Sequence, residues 1–515
     1  MEALPIDNAI VDECRALADD VAARMQAFID QHSTVSIERT VLRAYGIDGA
    51  NEDGHPIVNR CVERLKEAGL LERGAAFALG ALLHRGAESP QEAAEELAYG
   101  GGPVGLERIS VMDARAALVT HTVDALARID GARGARESAR ARLGTGQTPW
   151  KYVIVATGNI YDDADQARAA AQAGADIVAV IRSTAQSLID YVPYGATTEG
   201  FGGTWATQEN FKVVRTALDE EQEKQGRYLQ QVNYSSGLCM PEIAYLAAVE
   251  RLDMLLNDAM YGILFRDINP RRTLCDQYFS RRVIARAGIV INTGEDNYLT
   301  TADAVEKAHT VISSQFINEA FAKRAGLPDE LMGLGHAFEI DKSIEDSFLM
   351  EMAQAQLVRQ IFPRHPIKWM PSTKHKTGDI FWSHRVDGLY DLVGVATNQT
   401  IELLGMMTES IHTPLLQDRF AALKGADYVF TAARHLSDEL RWNPEGRVVA
   451  RAKQVLAEAR DLLREVQAEG MFSAVARGAF ADVKRPETGG RGLDGVVAKS
   501  ADYVNPILDA LEAVS

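Results

Sequence analysis

The chain has 515 residues, of which 46% are hydrophobic and 24% charged, and its formal net charge is −18. This composition is typical of a soluble globular protein, and so acidic a chain disfavours a nucleic-acid or anionic-membrane partner. No apolar run is long enough to span a bilayer, and the acidic N-terminus does not resemble a signal peptide.

Residues 1–145 are predicted to form a helical accessory region, because alanine, leucine, glutamate and arginine dominate and apolar positions recur at helical spacing. A long helix is expected over Ala116–Arg142, and Gly100–Pro103 is expected to be a loop. Nothing in this part of the chain points to chemistry.

From Trp150 to about residue 400, short β-branched runs alternate with longer helical stretches. Most runs are almost continuously apolar, as expected of strands buried on both faces. The predicted strands are Tyr152–Ala156, Asp176–Ile181, Gln231–Ser235, Tyr261–Phe265, Gly288–Asn292, Ala337–Ile340, Ile367–Met370 and Leu392–Ala396. Eight strand–helix units over roughly 250 residues predict an α/β fold, a TIM (β/α)8 barrel within residues 146–420. A doubly wound open sheet is the competing architecture.

Residues 421–515 are predicted to form a second helical accessory region. An amphipathic, charge-rich helix is expected over Val449–Glu469, and Gly489–Gly492 is expected to be a loop before a short final helix.

Polar side chains cluster where the predicted strands end, which is where barrel enzymes carry their active sites. The polar set consists of Thr157–Asn159, Arg182–Thr184, Ser187, Asn233–Gly237, Tyr261, Arg266–Asn269, Asn292–Asn297, Lys368 and Ser372–Lys376. Arginine and hydroxyl groups hold a phosphate dianion and a tyrosine ring can stack on a pyridine, so the set suits a phosphorylated aromatic cofactor. Alternatively, polar residues at strand ends only cap helices and satisfy backbone groups.

Other cofactor signals are weak. Gly200-x-Gly202 is followed by Trp205 where a dinucleotide fingerprint needs its third glycine. The histidines and cysteines form no metal-ligand cluster, so no protein-bound metal is predicted. The four cysteines are expected to be buried free thiols, which favours a cytoplasmic location. Lys374 and Lys376 are expected to lie in a solvated loop.

Several long segments carry a family resemblance. The segments are IRSTAQSL (181–188), YGATTEGFGGTWATQENFKVVRTALDE (194–220), VNYSSGLCMPEIA (232–244), AMYGILFRDIN (259–269), INTGEDNYLTTADA (291–304) and HPIKWMPSTKHKTGD (365–379). In these segments the chain resembles the α-subunit family of D-lysine 5,6-aminomutases, and the similarity extends over essentially the whole sequence.

The resemblance implies an isomerase of the intramolecular aminotransferase type. Such enzymes move the terminal amino group of D-lysine or L-β-lysine from C6 to C5 by a radical reaction that uses adenosylcobalamin and pyridoxal 5′-phosphate (PLP). Carried over by position, Arg182 and Ser187 bind the PLP phosphate region, Ser236 reaches the pyridine nitrogen and Tyr261 stacks on the ring. Arg266, Asp296 and Lys368 line the substrate and PLP pocket, and Tyr261, Asp296 and Lys368 are the candidate catalytic residues.

The resemblance also implies a partner. B12 domains of this kind carry Asp-x-His-x-x-Gly, and here Asp53-Gly54-His55 is followed by Val58 in the glycine position. A smaller B12-binding β subunit is therefore expected to supply the cobalt ligand and the lysine that forms the Schiff base with PLP, in an α2β2 assembly.

Three alternatives remain open. Lys368 at a strand end could itself be the Schiff-base lysine, because burial lowers a lysine pKa. The substrate could be ornithine or another diamino acid, as in the related D-ornithine 4,5-aminomutase. The chain could also be a non-catalytic scaffold for a B12-binding protein.

Overall fold

The computed structural model describes residues 3–180, 184–295, 303–335, 339–371 and 373–513. The part before residue 145 is helical, as predicted, and Gly100–Pro103 lies in a loop. Its helices are α1 (Asn8–Asp30), α2 (Val35–Ala44), α3 (Ile57–Glu67), α4 (Ala75–His84), α5 (Pro90–Tyr99) and α6 (Val111–Leu143). A short strand that the sequence did not predict, β1 (His32–Thr34), pairs antiparallel with Val496–Ala498.

The centre of the chain is an eight-stranded parallel sheet. Its strands are β2 (Trp150–Val155), β3 (Ile177–Val180), β4 (Gln230–Tyr234), β5 (Met254–Leu256), β6 (Val290–Asn292), β7 (Met332–Gly333), β8 (Lys368–Trp369) and β9 (Ile401–Leu403). The spatial order is β7-β6-β5-β4-β3-β2-β9-β8. The two outermost strands meet, because the Lys368 amide donates to the carbonyl of Leu334, just after β7, at 3.0 Å. The sheet therefore closes as a TIM barrel, which confirms the predicted fold.

Helices surround the barrel and continue beyond it. Those that follow barrel strands are α7 (Ile160–Gln172), α8 (Gln208–Gln225), α9 (Met240–Val249), α10 (Ala259–Arg266), α11 (Pro270–Ala287), α12 (Ala304–Arg324), α13 (Ser347–Ile361), α14 (Ile380–Ala396) and α15 (Leu416–Ala432). The later elements are α16 (Leu436–Glu439), α17 (Arg447–Glu469), α18 (Met471–Arg477), β10 (Val496–Ala498) and α19 (Pro506–Glu512). Short 3-10 helices occupy Leu71–Arg73, Leu106–Arg108, Thr184–Leu188, Asp329–Leu331, Thr373–His375 and Leu493–Gly495.

Three predicted strands were placed wrongly. Tyr261–Phe265 belongs to helix α10, and Leu392–Ala396 is the end of helix α14. Ala337–Ile340 falls after the strand that actually forms, β7, and partly outside the described residues. In each case a short apolar run satisfied both helix and strand patterns, whereas the true strands are only two or three residues long.

The barrel interior is filled by side chains from alternate strand positions. This buried layer consists of Tyr152, Ile177, Ala179, Val232, Met254, Val290, Ile401 and Leu403. A second, larger core joins the outer faces of β5 to β8 to helices from both ends of the chain, from Leu4 to Leu511. A third core covers the outer faces of β2 and β3. The division at residues 145 and 420 stays a prediction. No helix in the described ranges is both long and apolar enough to cross a bilayer.

Candidate active site

A cavity of about 280 Å³ lies above the filled barrel interior, at the C-terminal ends of the strands. Side chains of a strand alternate between two faces, so Ile154 and Ala156 continue the inward row that begins with Tyr152. In the same way Lys368 and Met370 at the end of β8, and Leu403 at the end of β9, project inward. Gly405, after β9, also lines the cavity. The remaining lining residues are Tyr234, Tyr261, Arg266, Pro371, Leu404, Met406, Glu409, Thr413, Pro414 and Arg419.

Three of the predicted site residues, Tyr261, Arg266 and Lys368, meet in this cavity. The Tyr261 side chain is buried, and the Arg266 Nε donates to its hydroxyl oxygen at 3.0 Å. The Arg266 guanidinium also lies 4.3 Å from the ring centroid of Phe265, within cation–π distance. Although Tyr261 and Arg266 are helical, helix α10 begins directly after β5, so both still lie at the mouth of the barrel.

Asp258 fixes the start of helix α10. Its carboxylate accepts hydrogen bonds from the amides of Met260 and Gly294, both at 2.9 Å, which joins the end of β5 to the segment after β6. A Cβ atom at Gly294 would lie 2.8 Å from Cδ2 of Tyr261. The glycine therefore allows the backbone after β6 to pack directly on the Tyr261 ring.

A buried polar layer supports this junction. Asn318 donates to Asp258 at 3.2 Å and to Glu295 at 2.7 Å. Burial, with the negative charge of Asp258, raises the pKa of Glu295 to about 8. Arg281 donates to Asn257 and Asn318, and burial lowers its pKa to about 10. These side chains hold the ends of β5 and β6 in place without entering the cavity.

Lys368 is buried inside the barrel, and its Nζ donates to the carbonyl of Thr293 at 3.1 Å. Lys376 was predicted to be solvated, and this is wrong. Its side chain is fully buried, with Nζ 2.5 Å from Asp387 Oδ1 and 2.5 Å from Glu409 Oε1. Lys376 can be buried because these two carboxylates neutralise its charge, and no sequence pattern indicated them. Lys374 is exposed, as predicted.

Ser187 and Ser236 lie together at the ends of β3 and β4, and both are buried. The chain crosses so closely here that a Cβ at Gly237 would lie 2.7 Å from Cα of Ser187. Neither serine lines the cavity itself. Arg182 and Asp296 lie outside the described residues, so their predicted roles stay predictions.

Three polar residues of the cavity wall, Glu409, Thr413 and Arg419, were not predicted from the sequence. Tyr234 also lines the cavity; it is one of the polar strand-end residues but was not among the seven site residues carried over from the family. Glu409 and Arg419 follow β9, whereas the last strand was predicted at Leu392–Ala396, in the helix before β9. Had Ile401–Leu403 been recognised as the last strand, its polar continuation would have drawn attention to both. The Arg419 Nε donates to the carbonyl of Ile154 at 2.6 Å, so this guanidinium is also part of the barrel rim.

One cluster at the opposite end of the barrel has the composition of a metal site. Glu319, Asp329 and His365 bring their ligand atoms within 4.8 Å of one another. However, Lys323 Nζ lies 2.6 Å and Arg15 Nε 3.3 Å from the Glu319 carboxylate. The cluster is therefore an ion-pair network that ties the N-terminal ends of β7 and β8 to neighbouring helices.

Comparison with known proteins gives consistent matches along the chain. A family model described as the D-lysine 5,6-aminomutase TIM-barrel domain of the alpha subunit matches residues 4–510. The lysine 5,6-aminomutase alpha subunit of Acetoanaerobium sticklandii is 50% identical over 512 residues, 99% of this chain and 98% of the relative. The corresponding protein of Fusobacterium nucleatum is 50% identical over 510 residues, with the same coverage. The D-ornithine 4,5-aminomutase subunit beta of A. sticklandii is 26% identical over 367 residues, 68% of this chain and 49% of the relative.

Proposed function

The chain belongs to the α-subunit family of D-lysine 5,6-aminomutases, and from this premise we propose that it is the barrel subunit of such an enzyme. The reaction is the migration of the terminal amino group of D-lysine or L-β-lysine from C6 to C5. The observation that carries the proposal is the barrel-mouth cavity, where Tyr261, Arg266 and Lys368 come together.

The proposed cofactors are PLP and adenosylcobalamin. When bound, PLP holds the migrating amine and adenosylcobalamin supplies the radical that starts the migration. Three features of this chain fit PLP. The cavity wall contains an aromatic ring, Tyr261, and a guanidinium, Arg266. The Nδ2 atom of Asn292, at the inward end of β6, is buried without a hydrogen-bond partner among the described residues. Two buried hydroxyl groups, Ser187 and Ser236, lie at neighbouring strand ends.

The side chains of this subunit bind and orient the cofactor and the substrate. Tyr261 offers a flat apolar face whose hydroxyl is anchored by Arg266, so the ring keeps its orientation. Lys368 presents a positive charge inside the barrel, which suits a substrate carboxylate. The apolar interior beneath the cavity excludes water, and this protects reactive intermediates from side reactions.

The proposed partner is a small B12-binding subunit with an Asp-x-His-x-x-Gly motif, in an α2β2 assembly. The name of the 50% identical relatives, alpha subunit, supports a second subunit. His55, the nearest match in this chain, instead lies 3.0 Å from Glu63 on the surface of the helical region. Apolar side chains that follow barrel strands are exposed near the mouth, as a docking surface requires: Phe201, Phe381, Ile411, Leu415, Leu416 and Phe420.

The docking surface can be tested by binding. Phe201→Ser and Phe381→Ser, at side chains 93% and 75% exposed, are expected to weaken partner binding about tenfold each, with no change in unfolding temperature. Tyr428→Ser is the control, because Tyr428 is also 76% exposed but lies near the far end of α15. Equal weakening by all three variants would argue against docking at the mouth.

The function is tested by mixing the purified chain with the partner subunit, PLP and adenosylcobalamin. We expect conversion of D-lysine to 2,5-diaminohexanoate, and a Lys368→Met variant should bind PLP but convert lysine poorly. Turnover by the chain alone, or PLP trapped on Lys368 by borohydride, would contradict the division of the site between two subunits.

The same assay decides the alternatives. Faster conversion of D-ornithine than of either lysine isomer would favour the activity named for the 26% identical relative. Partner binding without PLP binding or turnover would favour a scaffold. We also propose a cytoplasmic location, because all four cysteines are free thiols, the usual state in a reducing compartment.

A further inference from the structure

The cavity wall has an uneven charge distribution. Among the described lining residues, Glu409 is the one carboxylate, and it faces a wall that also contains Arg266, Lys368 and Arg419. Cationic side chains suit carboxylate and phosphate groups. A ligand with an additional free ammonium group needs an anion, and Glu409 offers it, because its side chain remains 22% exposed.

Lys376 holds the Glu409 carboxylate from behind the cavity wall. Its Nζ lies 2.5 Å from Glu409 Oε1 and 2.5 Å from Asp387 Oδ1, and it donates to the carbonyl of Met406 at 3.3 Å. Lys376 follows β8, Met406 and Glu409 follow β9, and Asp387 is in helix α14. The ammonium group thus fixes the loop after β9 against two other elements.

Gly405 shows how tightly this arrangement is built. A Cβ atom there would lie 2.0 Å from Asp387 Oδ1, 2.4 Å from Cγ of Pro371 and 2.5 Å from Lys376 Nζ. No side chain fits, so the loop passes over the ion pairs only because residue 405 is glycine. The position of Glu409 is therefore set by a buried network rather than by solvent.

We propose that Glu409 is a specificity-determining residue that binds the free ammonium group of the diamino-acid substrate, and that Lys376 is its positioning residue. This inference rests on the proposed lysine aminomutase function and adds the contact that distinguishes a diamino acid from a monoamine. Lys368, on the same wall, then pairs with the substrate carboxylate, and the reacting amine is left at the far end of the substrate.

The first test uses Glu409→Gln in the complex of this chain, its partner subunit and both cofactors. The KM for D-lysine should rise about 10- to 100-fold, the range for loss of one charged hydrogen bond, while kcat changes much less. The inhibition constant of 6-aminohexanoate, which lacks the α-ammonium group, should stay the same. Glu439→Gln, at an exposed position in α16, is the matched control. An equal change for both ligands, or no change for D-lysine, overturns the proposal for Glu409.

The second test uses Lys376→Met and, from the backbone side, Gly405→Ala. Both should reduce the preference for D-lysine over 6-aminohexanoate, and the double variant with Glu409→Gln should lose no further preference. A purely structural role would lower the unfolding temperature without changing this ratio. An unchanged ratio in whichever variant assembles therefore overturns the positioning role.

Calorimetric binding to the same complexes separates this inference from the proposed function. If wild type binds D-lysine without converting it, the proposed function fails. The role of Glu409 is then tested by the ratio of the affinities for D-lysine and 6-aminohexanoate in wild type and in Glu409→Gln. If wild type does not bind D-lysine, both proposals fail.

Discussion

The ring of Tyr261 depends on a glycine in a neighbouring strand end. A Cβ at Gly294 would meet Cδ2 of Tyr261 at 2.8 Å and its Cβ at 3.1 Å, and Asp258 holds both backbones in place. We expect Gly294→Ala to displace the ring, lower stability by about 1–3 kcal/mol and weaken PLP binding about tenfold. Absorbance titration with PLP measures this. Gly388→Ala in helix α14, where nothing lies within 4 Å, should instead stabilise by about 1 kcal/mol. Unchanged PLP affinity in Gly294→Ala would show that the ring is not a wall of the PLP site.

Glu295 gives the stability of the site a pH dependence. Burial and the charge of Asp258 raise its pKa to about 8, so the folded chain binds this proton more tightly than the unfolded chain. The stabilisation is complete below about pH 4, where unfolded glutamates also bind the proton, and it is lost as the pH rises towards 8. Glu295→Gln cannot lose a proton and should therefore lose less stability than wild type between pH 6 and pH 9. Thermal unfolding across this range measures the difference, with Glu52→Gln at an exposed loop position as control. Parallel pH profiles for wild type and Glu295→Gln would contradict the raised pKa.

Among the contacts between elements, the single side chain of Asn269 joins the start of α11 to the C-terminal loop. Its Oδ1 accepts from the amides of Arg271 and Arg272 at the start of α11, and its Nδ2 donates to the carbonyls of Glu487 and Gly489 at 2.8 and 2.6 Å. Asn269→Ala should cost about 2–3 kcal/mol, because it removes a helix cap and leaves two carbonyls without their donor. Urea unfolding measures this cost.

The matched control is Asp379→Ala. Asp379 caps α14 through the amides of Phe381 and Trp382, both at 3.0 Å, but it is exposed and makes no second connection in the described structure. It should cost about 1 kcal/mol. Equal costs for the two variants would mean that the contacts of Asn269 to the C-terminal loop contribute nothing.

The elements also show what a single sequence can predict. The strands β2, β3 and β4 were predicted correctly because each has four to six residues, most of them buried, which is long enough to give a recognisable pattern. β7 has only two residues, so its hydrogen bonds to β6, not a pattern of its own, make it a strand. β8 is equally short, but the apolar run Ile367–Met370 around it was recognised. Asp258 before Ala259–Arg266 is a helix N-cap signal that could have identified α10. Tyr261, Arg266 and Lys368 were nevertheless placed at the barrel mouth, because each lies in or just after a barrel strand. Glu409 and Arg419 were not predicted, because the strand before them, β9, was not recognised.

At the scale of the whole molecule, the two ends of the chain are joined through one buried carboxylate. Glu38 in α2 is fully buried, and burial raises its pKa. It accepts hydrogen bonds from Ser33 at 2.5 Å, from the amide of Ala75 at 2.6 Å and from the Tyr503 hydroxyl at 2.7 Å. The strand pair β1–β10 lies beside it, and the Lys499 amide donates to Gln31 at 2.9 Å. The C-terminal segment thus supplies a strand and hydrogen-bond donors to the N-terminal helical region.

This connection predicts how the chain unfolds. The larger core runs from Leu4 to Leu511 across the outer faces of β5 to β8, so the loss of a terminal contact should also destabilise this side of the barrel. Tyr503→Phe removes one hydrogen bond from Glu38 and should lower the free energy of unfolding by about 1–3 kcal/mol, whereas Tyr428→Phe, 76% exposed, should have no effect. Hydrogen exchange distinguishes a shared core from separate units, because with a shared core the amides of β5–β8 should lose as much protection as those of α2 and β1. If protection falls only near the termini, the accessory helices unfold independently, and the three-segment division of the chain describes separate domains.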